Sequence, residues 1–138
     1  MDTLRLQFAD EVSASDFEIL RLRCAADDGH ARLRRLLRRR QLGEPMAYIL
    51  KSVVFRGLTF GVDKRVYITD PENTHLVDAV IGATQVLVGQ HGKAPVVVEF
   101  GVGCGSLAIS VKRAVPQARV IGVDLDPDAL EVASQNAR

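Results

Sequence analysis

Residues 96–105, Val-Val-Val-Glu-Phe-Gly-Val-Gly-Cys-Gly, decide the fold of this chain. Residues 96–98 are three β-branched valines in a row, a pattern typical of a central parallel strand that is covered on both faces. Gly101, Gly103 and Gly105 then alternate with bulkier residues, and the missing Cβ of each lets the backbone turn tightly and approach a ligand closely. The stretch therefore predicts a buried strand that runs into a glycine-rich, ligand-binding turn.

A helix and two carboxylates accompany this turn. The pattern predicts a helix over 106–115, whose free N–H groups and partial positive charge would point into the same space. Glu99 lies two residues before the first glycine, and Asp124 ends the next apolar strand, residues 119–124. A carboxylate at that position can accept both ribose hydroxyls of an adenosine lying across the strand ends. The sequence thus predicts a nucleoside site, with an ordinary glycine-rich turn as the alternative for the glycines alone.

The glycine spacing argues against the nicotinamide dinucleotides. Their fingerprint has its third glycine three residues after the second, whereas Ser106 occupies that position here. No group of residues suited to hydride transfer accompanies the turn. A dinucleotide oxidoreductase is therefore the least favoured function.

Two patterns give the chain a family resemblance. The order Glu-x-Gly-x-Gly-x-Gly at 99–105, followed by an acid that closes the second strand, resembles the cofactor site of class I S-adenosylmethionine-dependent methyltransferases. Upstream, Gly-Glu-Pro-Met-Ala-Tyr-Ile (43–49), Phe-Arg-Gly-Leu-Thr-Phe (55–60) and Val-Tyr-Ile-Thr-Asp-Pro-Glu (66–72) are similar to the HemK/PrmC family, which methylates a glutamine amide in peptide chain release factors. The glycine turn marks only the superfamily, whereas 43–49 makes the resemblance specific; it runs from about Arg39 to the last residue.

The resemblance implies a site for S-adenosyl-L-methionine. The turn from Gly101 to Gly105 would hold the methionine portion of the cofactor, Asp124 would hold its ribose, and Glu99 would take the family's acidic position. The predicted cofactor-binding residues are therefore Glu99, Gly101, Val102, Gly103, Cys104, Gly105 and Asp124. No metal site is expected, because the histidines and cysteines lack metal-ligand spacing.

The expected fold class is α/β, as the start of a Rossmann-like class I methyltransferase sheet preceded by a small helical segment and a β-hairpin. Its parts would be a helical N-terminal segment (1–50), a β-hairpin linker (51–70) and the first part of the cofactor-binding domain (71–138). The family holds the glutamine amide with an Asn-Pro-Pro-Tyr loop in the C-terminal part of that domain, which the 138 residues do not include. No catalytic residue is therefore assigned, and the chain by itself is expected to be inactive.

The resemblance leaves two functions open. The first is a release-factor glutamine methyltransferase with a release factor as protein substrate, seen as a truncated chain or one that needs a complementary partner. The alternative is a non-catalytic protein-binding module that keeps the helical and hairpin parts for protein contacts. The pre-helix loop, residues 68–74, lacks the arginine and second acid usual in the family, and the helical part is short, so substrate recognition is expected to differ.

The N-terminal part predicts two helices. Ser15, with Glu18 three residues later, is the expected cap of the first, which would end at 27–29. The second is expected over 30–42, with three leucines inward and Gly43 closing it. It carries a basic run for which a solvated face is favoured over a phosphate or RNA contact, a docking face for protein being a third option. The run consists of Arg32, Arg34, Arg35, Arg38, Arg39 and Arg40.

The central part predicts a hairpin and a helix, and the chain ends in another helix. The hairpin is expected over 52–68, with breaks at 56–57 and 63–64. A helix should run from Asn73 or Thr74 to Gly89, followed by a turn at 91–93, and the last helix should span 127–138. The residues expected to face inward from these two helices are Leu76, Val80, Leu87, Leu130 and Ala133.

Composition indicates a soluble globular protein, with 47% hydrophobic and 25% charged residues and no apolar run near the roughly 20 residues of a membrane span. The first residues do not have the pattern of a secretory signal, so a cytoplasmic location with Cys24 and Cys104 as reduced thiols is expected. The net charge of +1 argues against attraction of the whole chain to nucleic acid.

Overall fold

The structure, a computed structural model, describes residues 2–24, 29–91 and 95–138. It divides into two compact units, Met1–Leu50 and Lys51–Arg138. The expected division into three parts, with boundaries after residues 50 and 70, stays a prediction. In the described ranges, every helix is too short or too polar to cross a membrane.

The described part of the first unit contains four helices: α1 (Asp2–Gln7), α2 (Ala14–Arg23), α3 (Gly29–Gln41) and α4 (Met46–Leu50). Their apolar side chains share one core, whose buried members are Leu4, Phe8, Val12, Phe17, Leu20, Cys24, Leu33, Leu36, Leu37 and Ile49. Helix α1 lies in a stretch for which no element is predicted. It is held by Leu4, one turn before Phe8, because both side chains enter that core.

Ser13, and not Ser15 as predicted, caps α2. Its hydroxyl accepts a hydrogen bond from the Asp16 N–H at 3.1 Å, whereas Ser15 lies inside the helix. An acid follows each serine by three residues, so spacing alone cannot choose between the two caps. Helix α2 ends at Arg23, and the predicted end at residues 27 and 28 lies outside the described residues.

The predicted second helix is confirmed as α3, which also ends as expected. Gly43 adopts a left-handed conformation with φ of 85° and donates its N–H to the Arg40 carbonyl at 2.9 Å. The following Glu44 N–H donates to the Arg39 carbonyl at 3.1 Å, which satisfies a second carbonyl of the last turn. The leucines of the predicted stripe are buried in the core.

The arginines of α3 fall into two groups. Arg39 donates two hydrogen bonds of 2.6 Å to the Glu44 carboxylate, and Arg40 donates one of 2.8 Å to Asp16. The other four, which are Arg32, Arg34, Arg35 and Arg38, are exposed. The predicted solvated face is therefore limited to these four, since ion pairs within the unit hold the other two.

We expect the two groups to respond differently to substitution. Replacing Arg34, Arg35 and Arg38 together by glutamine should leave the free energy of unfolding nearly unchanged, because their guanidinium groups are exposed. Arg40→Gln should lower it by about 1 kcal/mol, because it removes a partly buried ion pair with Asp16. Chemical denaturation measures both values. A triple variant that unfolds as easily as Arg40→Gln would contradict the division, and a large salt-dependent loss of RNA affinity would reveal a phosphate contact.

The second unit contains, in its described residues, a hairpin and the start of a parallel sheet. Its strands are β1 (Ser52–Phe55), β2 (Leu58–Gly61), β3 (Val96–Phe100) and β4 (Arg119–Val123), and its helices are α5 (Asn73–His91), α6 (Ser106–Ala114) and α7 (Pro127–Asn136). Strands β1 and β2 are antiparallel, whereas β3 and β4 are parallel with Val96 opposite Arg119. The β3–α6–β4 crossover confirms the predicted α/β fold class.

The hairpin is shorter than predicted. Its turn is at the expected break, where Arg56 and Gly57 have φ of 49° and 75°, two positive values as in a type I′ turn. The expected strand residues up to 68 are not strand after Gly61. The Asp63 carboxylate instead accepts hydrogen bonds from the Arg65 N–H at 3.0 Å and its Nε at 2.9 Å, which bends the chain into a local turn.

Helix α5 buries a different face from the predicted one. Val77 and Thr84 are buried, whereas Leu76 and Leu87, expected inward, are 54% and 44% exposed. Apolar residues occur all around this helix, so the helical period does not select a face. The turn predicted at 91–93 is wrong at His91, which is the last residue of α5, and residues 92 and 93 are outside the described part of the chain.

Helix α7 begins as predicted but also differs in its buried face. Asp126 caps it with its side chain, and Pro127 occupies the first turn. Ala129 and Val132 are buried, whereas Leu130, predicted to face inward, is 39% exposed. The helix is thus anchored by its smaller apolar residues.

One face of β3 is exposed, contrary to the expected cover on both faces. Val96, Val98 and Phe100 are 58%, 45% and 83% exposed. Alternate side chains of a strand point to the same side, so these three form one apolar face. Among the described residues, β3 pairs with β4 alone, and its other edge has no neighbouring strand.

Candidate functional site

The glycine loop, residues 101–105, follows β3 and has a backbone that requires glycine. Gly101, Gly103 and Gly105 have φ of 73°, 52° and 83°. Residues with a Cβ rarely adopt these left-handed values, so each glycine has a conformational reason to be there. The alternation read from the sequence thus corresponds to three left-handed residues in five.

The glycines differ in what surrounds them. A Cβ added to Gly101 or Gly103 would meet no atom within 4 Å, so both positions border open space. A Cβ on Gly105 would lie 3.1 Å from Ile109 Cδ1 and 3.4 Å from Ala133. Gly105 therefore lets α6 and α7 pack closely, whereas the first two glycines leave room for a ligand.

Strand β4 fixes the start of the glycine loop. The Val123 carbonyl accepts hydrogen bonds from the N–H groups of Gly101 at 2.8 Å and Val102 at 3.0 Å. The Val102 side chain lies against Gly122, where an added Cβ would be only 2.5 Å from Val102 Cγ2. The main chain and this side chain together hold the loop against the strand.

Asp124 braces the middle of the loop. Its Oδ2 accepts a hydrogen bond from the Gly103 N–H at 2.9 Å, and its Oδ1 accepts one from the Asp126 N–H at 3.1 Å. These bonds hold the pKa of Asp124 below its usual value, and the bond from Gly103 has the largest effect. The carboxylate is therefore ionised at neutral pH and retains lone pairs for further hydrogen bonds.

Glu99 joins β3 to the start of α6. Its Oε2 accepts a hydrogen bond of 2.8 Å from the N–H of Ala108, the third residue of that helix. Burial raises the pKa of Glu99 to about 7, opposed by the Ala108 bond and assisted by the negative charge of Asp124. This carboxyl therefore exchanges its proton near neutral pH.

Replacing Glu99 by glutamine should remove the pH dependence that this carboxyl gives to stability. Because burial favours the protonated carboxyl in the folded chain, stability should fall as the pH rises from about 4.5 to about 7. Glu99→Gln keeps an oxygen for the Ala108 N–H without a charge, so it should be the more stable form above pH 7. The gain in free energy of unfolding is at most about 3 kcal/mol, and solvent screening of the partly exposed carboxylate reduces it. Urea unfolding between pH 5 and 8 measures the difference in free energy of unfolding between the variant and the unsubstituted chain. This difference should decrease toward pH 5, and a difference that does not change with pH would contradict the prediction.

Buried polar side chains pack against the glycine loop on its interior side. Thr69 Oγ1 and Ser106 Oγ share a hydrogen bond of 2.6 Å, and Thr69 Oγ1 lies 3.4 Å from Cys104 Sγ. Cys104 is 2% exposed and Val102 is 6% exposed. Of the predicted site residues, these two are thus buried and present little surface to a ligand.

Two residues that touch the loop were not predicted as part of the site. Thr69 supports it as described, and Asn136 Nδ2 donates a hydrogen bond to the Cys104 carbonyl at 2.8 Å. The last helix therefore ends beside the glycine loop. No local pattern could reveal this contact, because it joins residues 32 positions apart.

Some N–H groups of this region have no partner. In the ranges that the structure describes, no hydrogen bond is formed by the main-chain N–H groups of Cys104, Ser106 and Leu107. Two of these belong to the first turn of α6, where the partial positive charge of a helix favours negatively charged ligand groups. Cys104 and Ser106 are only 2% and 1% exposed, so of these three residues Leu107 alone has surface that a ligand can reach.

A cavity of about 850 Å³ lies next to the loop, beside α6, β4 and α7. It is lined by Val102 and Gly105 but not by Gly101, Gly103 or Asp124. It is therefore distinct from the surface at the strand ends where the predicted site residues meet. Within the described residues, no group of three histidine, cysteine or carboxylate side chains could hold a metal ion.

The comparison with protein families agrees with this geometry. A family described as a methyltransferase domain matches residues 97–138, which include the glycine loop and Asp124. A release factor glutamine methyltransferase of Vibrio cholerae is 35% identical over 107 residues, 78% of this chain and 35% of that protein. One of Agrobacterium fabrum is 33% identical over 135 residues, 96% of this chain and 46% of that protein.

The chain is HemK/PrmC-like. The predicted family resemblance and the Rossmann-like start of a methyltransferase fold are thereby confirmed. Another relative of this HemK/PrmC-like chain is a 4-amino-L-phenylalanine/4-methylamino-L-phenylalanine methyltransferase of Streptomyces pristinaespiralis, 33% identical over 115 residues, 83% of the chain and 39% of that protein. The chain thus spans 35% to 46% of the length of these three relatives.

Proposed function

We propose that this chain forms the S-adenosyl-L-methionine-binding part of a methyltransferase of the release-factor glutamine type. The observation that carries the proposal is the position of Gly103. Its N–H is held by Asp124 at 2.9 Å, while the place where a Cβ would lie is open. A side chain is therefore missing where a ligand must approach, next to an ionised carboxylate at the end of a strand.

The described residues fit the cofactor. Gly101 and Gly103 leave open space for its methionine portion, and the positive end of α6, with the unpaired N–H of the partly exposed Leu107, suits a carboxylate. The lone pairs that Asp124 retains suit ribose hydroxyls, and Glu99 completes the acidic side of the site. When bound, the cofactor supplies an electrophilic methyl group on a sulfonium ion. The chain's own part is to bind and orient it.

The proposed methyl acceptor is a glutamine side-chain amide of a peptide chain release factor. The names of the Vibrio and Agrobacterium relatives support this acceptor, whereas the Streptomyces relative is named for an amino acid. An amide nitrogen is a poor nucleophile because its lone pair is delocalised into the carbonyl group. Holding it in line with the methyl group is therefore the main task of such an enzyme.

Calorimetric titration of the 138-residue chain with S-adenosyl-L-methionine tests the proposed binding. We expect saturable binding with one site, and no binding of a nicotinamide dinucleotide in the same buffer. Absence of cofactor binding by the folded chain would contradict the proposal and favour a protein-binding module instead.

We expect the chain by itself not to methylate a release factor. Glu99 and Asp124, the acids at the strand ends, both accept hydrogen bonds from main-chain N–H groups. The other polar side chains described at the glycine loop, those of Thr69, Ser106 and Asn136, are also engaged in hydrogen bonds within the chain. Alignment of the amide, which can supply roughly 7 to 11 kcal/mol of a barrier, therefore has no free side chain among them. Transfer of a radiolabelled methyl group should stay at background, with the full-length Agrobacterium relative as positive control. Turnover by the chain alone would show that it contains the catalytic group.

A further inference from the structure

We infer that Asn136 is a positioning residue, through which the hairpin strand β2 sets the conformation of the glycine loop. Asn136 is the last residue of α7 and does not border the open space at Gly103. Its effect would pass through the peptide unit between Cys104 and Gly105. The role in cofactor binding rests on the function proposed above, whereas the coupling of hairpin and loop does not.

The Asn136 amide makes three short hydrogen bonds. The Gly61 N–H donates to its Oδ1 at 2.7 Å, and its Nδ2 donates to the Gly61 carbonyl at 2.9 Å and to the Cys104 carbonyl at 2.8 Å. Both Nδ2 hydrogens and the amide oxygen are therefore used. Only an amide in this orientation satisfies one donor and two acceptors at once, since the reversed orientation would oppose like groups.

This side chain is the polar link between the hairpin and the loop. In the described part of the chain, no main-chain hydrogen bond joins residues 58–61 to residues 101–105. Asn136 pairs with both main-chain groups of Gly61, as a neighbouring strand would, and reaches Cys104 with the same nitrogen. A shift of β2 is therefore transmitted to the loop.

The linked peptide unit is held from both sides. The carbonyl of Cys104 accepts from Asn136, and the N–H of the same peptide plane, on Gly105, donates to the Val102 carbonyl at 2.8 Å. Gly105 has φ of 83° and no side chain to restrict rotation of this plane. Without the Asn136 bond, the plane would be held on one side alone, and the orientation of the neighbouring N–H groups would vary.

Gly61 provides a second way to disturb the link. A Cβ at this position would lie 3.2 Å from Asn136 Oδ1, so an alanine there requires the amide to shift by a few tenths of an ångström. Gly61→Ala should therefore act on the loop through Asn136. In a chain that already carries Asn136→Ala, it should have little further effect on the loop.

The test compares Asn136→Ala and Gly61→Ala with a matched control, Gln135→Ala. Gln135 is the neighbouring residue of α7, and its amide bonds at 3.2 Å to Glu131 of the same exposed helix face. Amide hydrogen exchange of the cofactor-free chain reports on the Gly105 N–H. We expect about tenfold faster exchange in Asn136→Ala, a smaller increase in Gly61→Ala, and no change in Gln135→Ala.

Binding supplies the second readout. At a temperature where every variant is folded, the Kd for S-adenosyl-L-methionine should rise about tenfold in Asn136→Ala and stay unchanged in Gln135→Ala. Asn136→Asp should be no better than alanine, because a carboxylate would face two carbonyl oxygens. A lower Tm with unchanged Kd would overturn the role of Asn136 in cofactor binding, whereas the exchange rates decide the coupling.

The outcomes separate the two proposals. Unchanged exchange at Gly105 in Asn136→Ala overturns the coupling whether or not the cofactor binds. If the unsubstituted chain binds no S-adenosyl-L-methionine, the proposed function fails, and the exchange rates still decide the coupling. If Asn136→Ala does not fold, the milder Gly61→Ala decides it by the same measurement.

Discussion

Gly103→Val should abolish binding of S-adenosyl-L-methionine, with a rise in Kd of at least about a hundredfold. The valine side chain would enter the open space beside Gly103, which is the space that the ligand needs. The φ of 52° at this residue also disfavours a β-branched side chain, so the loop would have to change shape. Calorimetric titration of the variant measures the loss.

Gly57→Val is the matched control for this variant. Gly57 also has a positive φ, 75°, and no atom within 4 Å of its Cβ position, but it lies in the hairpin turn. The two variants should lose stability by similar amounts, which thermal unfolding can verify, while Gly57→Val should still bind the cofactor. Binding by Gly103→Val as tight as that of the unsubstituted chain would remove the site from the glycine loop.

Asp124→Ala should weaken cofactor binding by about ten- to a hundredfold. It removes the proposed partner of the ribose and also the acceptor of the Gly103 N–H. Asp124→Asn keeps an oxygen for that N–H and loses the charge, so it should bind more tightly than the alanine variant. Calorimetry on both variants separates the effect of the hydrogen bond from the Gly103 N–H from the effect of the charge.

Asp126→Ala serves as the control for Asp124. The Asp126 side chain caps α7 and forms no hydrogen bond with the glycine loop. Its replacement should lower stability by about 1 kcal/mol without changing the Kd. If Asp126→Ala and Asp124→Ala weaken binding equally, the effect of Asp124 is one of local stability, and its assignment to the ribose is wrong.

The pKa of Asp124 adds a check on this assignment. Because hydrogen bonds from Gly103 and Asp126 lower that pKa, the stability that the carboxylate contributes is present above its unfolded-state pKa and is lost only as the pH falls through the lower folded-state value. Asp124 should therefore stay ionised throughout mildly acidic and neutral conditions. Glu99, whose pKa is about 7, is instead the site carboxyl expected to change charge near neutral pH.

The strand, loop and helix around the site could be predicted because they depend on neighbours in sequence. The run at 96–98 specifies a strand, and glycine is required wherever φ is positive, as at Gly101, Gly103 and Gly105. Pro127 in the first turn of α7 and Gly43 at the end of α3 are equally local. In these places the chemistry of a single residue determines the backbone.

Other features depend on the fold and have no local pattern. Ser13 and Ser15 are equally good caps by spacing, and the structure uses Ser13. The buried face of α5 is chosen by its tertiary neighbours, which select Val77 rather than Leu76. The link from Asn136 to Gly61 spans 75 residues, and no sequence pattern near either residue predicts it.

The contact of Val102 with Gly122 affects the entropy of ligand association. Since no side chain other than hydrogen leaves room for Val102 there, the glycine loop is pressed against β4 before any ligand arrives. Ordering a free backbone residue costs about 1 to 2 kcal/mol, and a loop that is already ordered avoids most of that loss on association. Gly122 therefore contributes to affinity from a position that no ligand atom needs to touch.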